Sequence, residues 1–259
     1  MKKQEAASGS GDKCPVCGGT GWEFVKRSIE GYDTDHTVAV PCTYCREIRR
    51  LADNTGIPLN FCEMDIHKFR FDVYAADMGR IEKLVSHFFE NFPIWREKGK
   101  GLYLWSKTPG SGKSMLACSL GRSISLKYDL QLRFITAPDY LAAVGDSYKR
   151  TEGEIDQSQI YRECDLLILD DIGTQRRGEW QDQEIFRLVN RRYENGLLTI
   201  FTSNYMPEKL NFDGRIIDRI RKCSIVVQMP EECVRQKKAE VEQEFFLREI
   251  FEDTFERSN

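Results

Sequence analysis

Apolar residues along this chain fall into two rhythms, short unbroken runs and helical stripes, which alternate from residue 102 onward. Residues 102–105 (LYLW), 132–136 (LRFIT), 165–170 (DLLILD), 198–202 (LTIFT) and 224–228 (SIVVQ) are runs of strand length, rich in β-branched and aliphatic side chains. Between them the spacing changes to that of helices. Met115, Leu116, Leu120 and Ile124 form one stripe over 114–127, and Tyr140, Leu141, Val144 and Tyr148 form another over 138–149, opened by Pro138. Residues 179–195 read as a helix stopped by Gly196, a short basic helix covers 215–222, and a long charged helix covers 231–255. Residues 151–159 are polar and read as a loop. Ahead of the first strand, Met78, Ile81, Leu84, Val85, Phe88 and Phe89 give an amphipathic helix over 75–92, closed by Pro93. Strands alternating with helices predict an α/β domain in three layers around a five-stranded parallel sheet. Unbroken apolar runs suit strands covered on both faces.

The first fifty residues follow a different logic. Cys14-Pro-Val-Cys17 and Cys42-Thr-Tyr-Cys45 are two C-x-x-C knuckles, with two short strands predicted between them at 22–25 and 37–40. Each knuckle turns two thiolates toward one cation, and four thiolates satisfy tetrahedral Zn²⁺. The predicted unit is a small zinc ribbon over 1–50, joined by a connector over 51–74 to the main domain over 75–259. A redox C-x-x-C or a disulfide pair are the rival readings, and neither knuckle lies in a thioredoxin-like strand–helix–strand context. His36 is an alternative fourth ligand. With all four positions taken by protein groups, the metal is structural. Phe61, Phe69, Phe71 and Tyr74 interleave with charges through the connector and are expected to pack on the main domain.

The chemistry concentrates where apolar runs end. After the strand at 102–105 the chain breaks into Ser106-Lys107-Thr108-Pro109-Gly110-Ser111-Gly112 and resumes as a helix at Lys113-Ser114-Met115. Strand, glycine loop and helix N-terminus make a phosphate cradle: backbone N–H groups turn inward and the helix dipole favours negative charge. Lys113 reaches the β- and γ-phosphates and the Ser114 hydroxyl takes Mg²⁺. Lys107 stands where the motif has its first glycine. The run at 165–170 ends in Asp170 and Asp171: Asp170 suits an Mg²⁺ site and Asp171 a water-activating carboxylate. Asn204, just past the strand at 198–202, is placed to polarise water beside a γ-phosphate. Arg215, Arg219, Arg221 and Lys222 cluster on the short helix, where they suit a phosphate of a neighbouring molecule, DNA, or a solvated face paired with Asp213 and Asp218.

Charge adds little. The formal net charge of −3 gives no global attraction to nucleic acid, and no basic–aromatic stripe stands out beyond the 215–222 cluster. No apolar run approaches the ~20 residues of a membrane span. The N-terminal MKKQEAASGSGDK lacks an apolar core, so neither a membrane nor a secretory signal is expected. Nine cysteines, five of them scattered singly, suit a reducing cytoplasm with one metal site.

Together these segments resemble the AAA+ ATPases of the bacterial helicase-loader group, the DnaC/DnaI type, with the transposition ATPase IstB as a near relative. CPVCGGTGW with PCTYC is similar to the zinc-binding N-terminus of phage- and Firmicute-type loaders. NTGIPLNF, DLLILDDIGTQRRGEW, NRRYENGLLTIFTSNY and GRIIDRI are similar to family blocks, in the family's order. The resemblance implies a P-loop NTPase of the AAA+ type. Pro109 through Met115 line the phosphates, Lys113 and Ser114 form Walker A, Asp170 and Asp171 form Walker B, and Asn204 is sensor 1. Arg219 is the arginine finger with Arg215 beside it, and Arg235 is sensor 2. It further implies slow ATP hydrolysis used as a switch, ATP-dependent self-association, and as partners a replicative hexameric DNA helicase and single-stranded DNA. A transposition ATPase acting on duplex DNA, or a nucleotide-binding adaptor with negligible hydrolysis, are the alternatives.

Overall fold

The computed structural model describes residues 14–28, 35–148, 156, 158–174 and 178–256, in two compact units that divide between Glu63 and Met64.

In the first unit, β1 (Trp22–Arg27) pairs antiparallel with β2 (His36–Pro41), from Trp22 opposite Pro41 to Arg27 opposite His36. Helix α1 (Thr43–Thr55) begins inside the second knuckle, with Cys42 before its first residue and Cys45 in its first turn, and ends at Gly56, whose left-handed backbone (φ 78°) returns its N–H to the Ala52 carbonyl. The expected boundary after residue 50 falls inside this helix. The residues after 50 continue it because nothing before Gly56 stops it.

The second unit carries the sheet. Helices α2 (Gly79–Glu90) and α3 (Phe92–Glu97) precede β3 (Gly101–Trp105). Pro93 sits in the first turn of α3, where its missing N–H costs nothing, so it opens a second helix as well as following the first. Then come α4 (Lys113–Tyr128), β4 (Leu132–Thr136), α5 (Ala137–Ser147), α6 (Gln159–Glu163) and β5 (Leu166–Asp170). The chain continues through α7 (Glu179–Glu194), β6 (Leu198–Ser203), α8 (Gly214–Cys223), β7 (Ser224–Gln228) and α9 (Val234–Glu256). The strands are parallel in the order β4-β5-β6-β3-β7. All residues of β3, β5 and β6 are buried, as the unbroken apolar runs require.

Three expectations need correcting. Of the loop expected over 151–159, Asp156, Ser158 and Gln159 are described, and Gln159 opens α6. Tyr148, expected inside, is exposed, and its hydroxyl donates to Glu184 at 3.0 Å. The long helix begins at Val234, after Glu231 and Glu232, whose side-chain carboxylates accept from backbone N–H groups elsewhere in the unit. The expected lead-in over 1–13 lies outside the described residues.

Register decides where chemistry can occur. Trp105 pairs with Ser203, and Thr136 with Asp170, so β3, β6, β5 and β4 finish along one edge of the sheet. β6 lies between the strand that feeds the glycine loop and the strand that ends in Asp170. Ligands of open parallel sheets lie at such carboxyl ends. At the opposite end, fully buried Arg192 of α7 donates to the carbonyls of Tyr161, Cys164 and Leu198 and to Thr199 Oγ1, which ties the starts of β5 and β6 together.

Candidate functional site

The glycine loop leaves β3 at Ser106, whose N–H bonds the Ser203 carbonyl, and reaches α4 through Gly112. Gly110 (φ 74°) and Gly112 (φ 87°) occupy left-handed backbone. A Cβ on Gly110 would stand 2.9 Å from Cys233 Sγ, and one on Gly112 would stand 2.3 Å from the Tyr74 hydroxyl. Tyr74 donates to the Ser111 carbonyl at 2.9 Å, so the expected packing of this aromatic on the main domain is a direct contact with the loop. Lys107 is absent from the residues with positive φ: its backbone is ordinary, its side chain is exposed, and its N–H bonds Glu231. The departure from glycine at that position therefore introduces no left-handed strain.

Lys113 is buried. Its Nζ donates to the Ser106 carbonyl (3.3 Å), the Thr108 carbonyl (3.2 Å) and Ser111 Oγ (3.2 Å). Burial pushes its pKa below the ordinary lysine value, while the charges of Asp171, Asp170 and Glu231 oppose that shift and Arg235 adds to it. Lys113, both carboxylates of the β5 edge, Glu231 and Arg235 thus share one electrostatic neighbourhood. Arg235 N–H also bonds the Gly110 carbonyl at 3.1 Å, which brings the expected sensor 2 residue onto the loop.

Ser114, at the first turn of α4, donates its hydroxyl to Asp170 Oδ1 at 2.7 Å. The same oxygen accepts from Thr202 of β6. Burial raises the Asp170 pKa, opposed by the Thr202 and Ser114 hydroxyls; the neighbouring Asp171 charge raises it further and Lys113 lowers it. Ser114 Oγ and Asp170 together are hard oxygen donors at a helix N-terminus, a donor set that fits Mg²⁺. Thr202 was not expected. Its Oγ1 accepts from the Asp171 N–H at 3.0 Å while donating to Asp170, so one hydroxyl fixes both carboxylate residues. Its only signal in the sequence is its place at the end of an apolar run.

Asp171 has left-handed backbone (φ 53°), with its carbonyl accepting from Thr174 N–H and Oγ1. Aspartate tolerates this conformation better than longer side chains do. Asn204 follows β6 directly and is half-buried, between the ends of β3 and β5.

Arg215 and Arg219 lie elsewhere, on α8. Arg219 is half-buried: its guanidinium stands 4.8 Å from the Phe186 ring centre and Nε donates to Asn190 Oδ1, both on α7. Arg215 is exposed, pairs with Asp213 at 3.1 Å, and stands 5.3 Å from the same ring. Lys222 pairs with Asp218 and Arg221 with Glu208.

The sequence over residues 86–227, more than half of the chain, matches the model of the bacterial DnaA ATPase domain. The chain belongs to that family. A chromosomal replication initiator protein DnaA, from Borrelia duttonii (strain Ly), is 30% identical over 138 residues, 51% of this chain and 28% of the relative. The chain thus spans less than a third of the length of the curated relatives it matches. Among solved structures, the DnaC helicase loader is similar with a TM-score of 0.55 at 22% identity, covering 66% of this chain and 99% of that one. DnaI is similar with a TM-score of 0.56 at 19% identity, covering 68% and 96%. The AAA+ P-loop fold expected from the sequence is therefore the fold of this DnaA-family ATPase domain, shared with both.

In the first unit, the four cysteine sulfurs lie within 4.8 Å of one another. Cys14 and Cys42 Sγ are 3.7 Å apart, and Cys17 and Cys45 Sγ are 3.6 Å apart. A tetrahedral Zn²⁺ with sulfur at ~2.3 Å sets sulfur–sulfur separations of ~3.8 Å, so the residues present fit the ion. Backbone N–H groups of Cys17 and Gly21 point at the sulfurs of Cys14 and Cys17, an arrangement that favours thiolates. His36 lies at the far end of the hairpin from the knuckles and is outside this set. Among the described residues no helix is long and apolar enough to cross a membrane.

Proposed function

We propose that this chain is an ATP-dependent helicase loader, which binds a hexameric replicative DNA helicase and helps place it on single-stranded DNA. The carrying observation is the interlock of Ser114, Asp170, Asp171 and Thr202 at the carboxyl edge of the sheet, beside the buried Lys113 of the glycine loop, in a chain whose fold is shared with the DnaC helicase loader.

In this reading the loop from Pro109 to Met115 takes the phosphates of ATP. Lys113 exchanges loop carbonyls for phosphate oxygens. Ser114 and Asp170 hold Mg²⁺, which supplies charge neutralisation across the phosphates. Asp171 and Asn204 orient water beside the γ-phosphate, and Arg235 closes on the phosphates from the C-terminal side. Arg219, with Arg215 beside it, projects from α8 toward the nucleotide of a second copy, which makes self-association dependent on ATP. The short Asp171 carboxylate suits slow hydrolysis, with nucleotide acting as a timer. Cys14, Cys17, Cys42 and Cys45 hold structural Zn²⁺, and that unit grips the helicase.

The test is the light-scattering mass of this protein mixed with the source organism's hexameric replicative helicase, with and without ATP, beside Lys113→Ala. The proposal expects a stable complex whose composition changes with ATP in wild type and stays constant in the variant. No complex in any nucleotide state overturns it.

A further inference from the structure

Glu231 lies three residues ahead of α9, outside every motif that the sequence assigns to nucleotide. Its Oε1 accepts from Lys107 N–H at 3.1 Å. Its Oε2 accepts from Thr108 N–H (2.9 Å), Thr108 Oγ1 (2.9 Å) and Ser106 Oγ (3.2 Å). One carboxylate thus faces four donors from three consecutive residues, the stretch between β3 and the glycines of the loop, with the single Ser106 hydroxyl proton shared with the Pro230 carbonyl (3.1 Å). Burial works against its ionisation, yet the Lys107 and Thr108 N–H groups and the two hydroxyls hold it below the usual carboxylate range.

The same stretch is held from its other side. Lys113 Nζ bonds the carbonyls of Ser106 and Thr108, while Glu231 takes donors of those two residues. A lysine that moves to a phosphate releases its two carbonyls, and the Glu231 bonds are then what keeps residues 106–108 in shape. This is the work that the first glycine of the motif does elsewhere by backbone freedom, and here that position is Lys107. The neighbouring contacts reinforce the clasp: Arg235 N–H bonds the Gly110 carbonyl, and Glu232 accepts from Ala75 and Ala76 N–H beside Tyr74, which touches Ser111.

We propose that Glu231 is a positioning residue for nucleotide binding, holding Ser106, Lys107 and Thr108 in the loop shape that accepts phosphate when Lys113 leaves them. This rests on the reading of the loop as the ATP site. The opposite role is also chemically defined: a carboxylate close to the loop repels phosphate, and its neutralisation would then tighten binding.

Calorimetric ATP binding and steady-state turnover of the full-length zinc-loaded protein decide between them, using wild type, Glu231→Gln and Lys113→Ala. In Glu231→Gln the amide nitrogen faces a backbone N–H, donor against donor. ATP binding then weakens about tenfold, the worth of one or two such bonds, with KM rising alike and kcat at saturation within about twofold. Binding as tight as or tighter than wild type, or a loss in kcat at unchanged KM, overturns the role of Glu231 while leaving the ATP site standing. A wild type that binds no ATP overturns both. Amide hydrogen exchange in wild type covers the case of a variant that fails to fold. Lys107 and Thr108 amides protected with and without ATP support the clasp, and free exchange with ATP bound refutes it.

Discussion

The two halves of the candidate ATPase centre differ in how they are held. Lys113, Ser114, Asp170 and Asp171 come from α4 and the end of β5: hydrogen bonds through Thr202 join Ser114 and the two aspartates into one network, while Lys113, the next residue to Ser114, is held by Ser111 and the loop carbonyls and shares the aspartates' charge neighbourhood. Arg215 and Arg219 sit on α8 instead, against Phe186 and Asn190 of α7, in contact with none of that network. The first half is complete inside one chain before any ligand arrives. The second is a pair of guanidiniums held on a ring, an amide and the Asp213 carboxylate, which on the proposed function exchange these partners for a phosphate presented from outside. On the proposed function, a centre built this way binds nucleotide alone and turns it over only in company.

That contrast is open to breakage from either side. The largest effect falls on the inner half: Lys113→Ala removes the buried cation that the proposed function gives to the phosphates, and ATP binding, read by calorimetry, weakens by about 100-fold or more. Next comes Arg219→Ala. Binding by the isolated chain stays within about threefold, because the residue is outside the network, while turnover falls on the order of 10³-fold if it acts as a finger in trans. Equal losses of binding and turnover would erase the distinction between the halves. A subtler change sharpens it. Thr202→Val removes a hydroxyl that stabilises the ionised form of Asp170, whose pKa burial already raises. The Asp170 pKa then rises further, and the acid limb of kcat/KM moves to higher pH. Asp170 must be charged to hold Mg²⁺, so activity is lost as pH falls through that value. An unmoved limb would exclude Asp170 as the group that titrates.

Much of this was readable in the residues. The apolar runs ending at Trp105 and Asp170 marked the sheet, because strands buried on both faces admit little else, and their carboxyl ends located the loop and the paired aspartates. What the residues concealed has a common cause: hydrogen bonds between segments distant in sequence. Thr202 and Glu231 act on residues 31 and more than a hundred positions away, and neither carries a local pattern that marks it. Arg192 is a similar case: of the two adjacent arginines in α7, one is fully buried on carbonyls and the other exposed, and only the fold decides which. Lys107 stands where the motif has glycine, and what the residues did not show is that its backbone is ordinary and tied to a carboxylate.

Mixing the two damaged proteins tests the divided centre most directly. On the proposed function, Lys113→Ala retains Arg219 and loses nucleotide, while Arg219→Ala retains the nucleotide site and loses the finger. Each alone is expected to be nearly inert in an ATPase assay at saturating ATP. Titrating Lys113→Ala into a fixed amount of Arg219→Ala should restore a substantial part of wild-type turnover, since an intact finger then meets an intact site across the interface. A mixture no more active than the sum of its components, under conditions where wild type turns over, would contradict the account and place catalysis within a single chain.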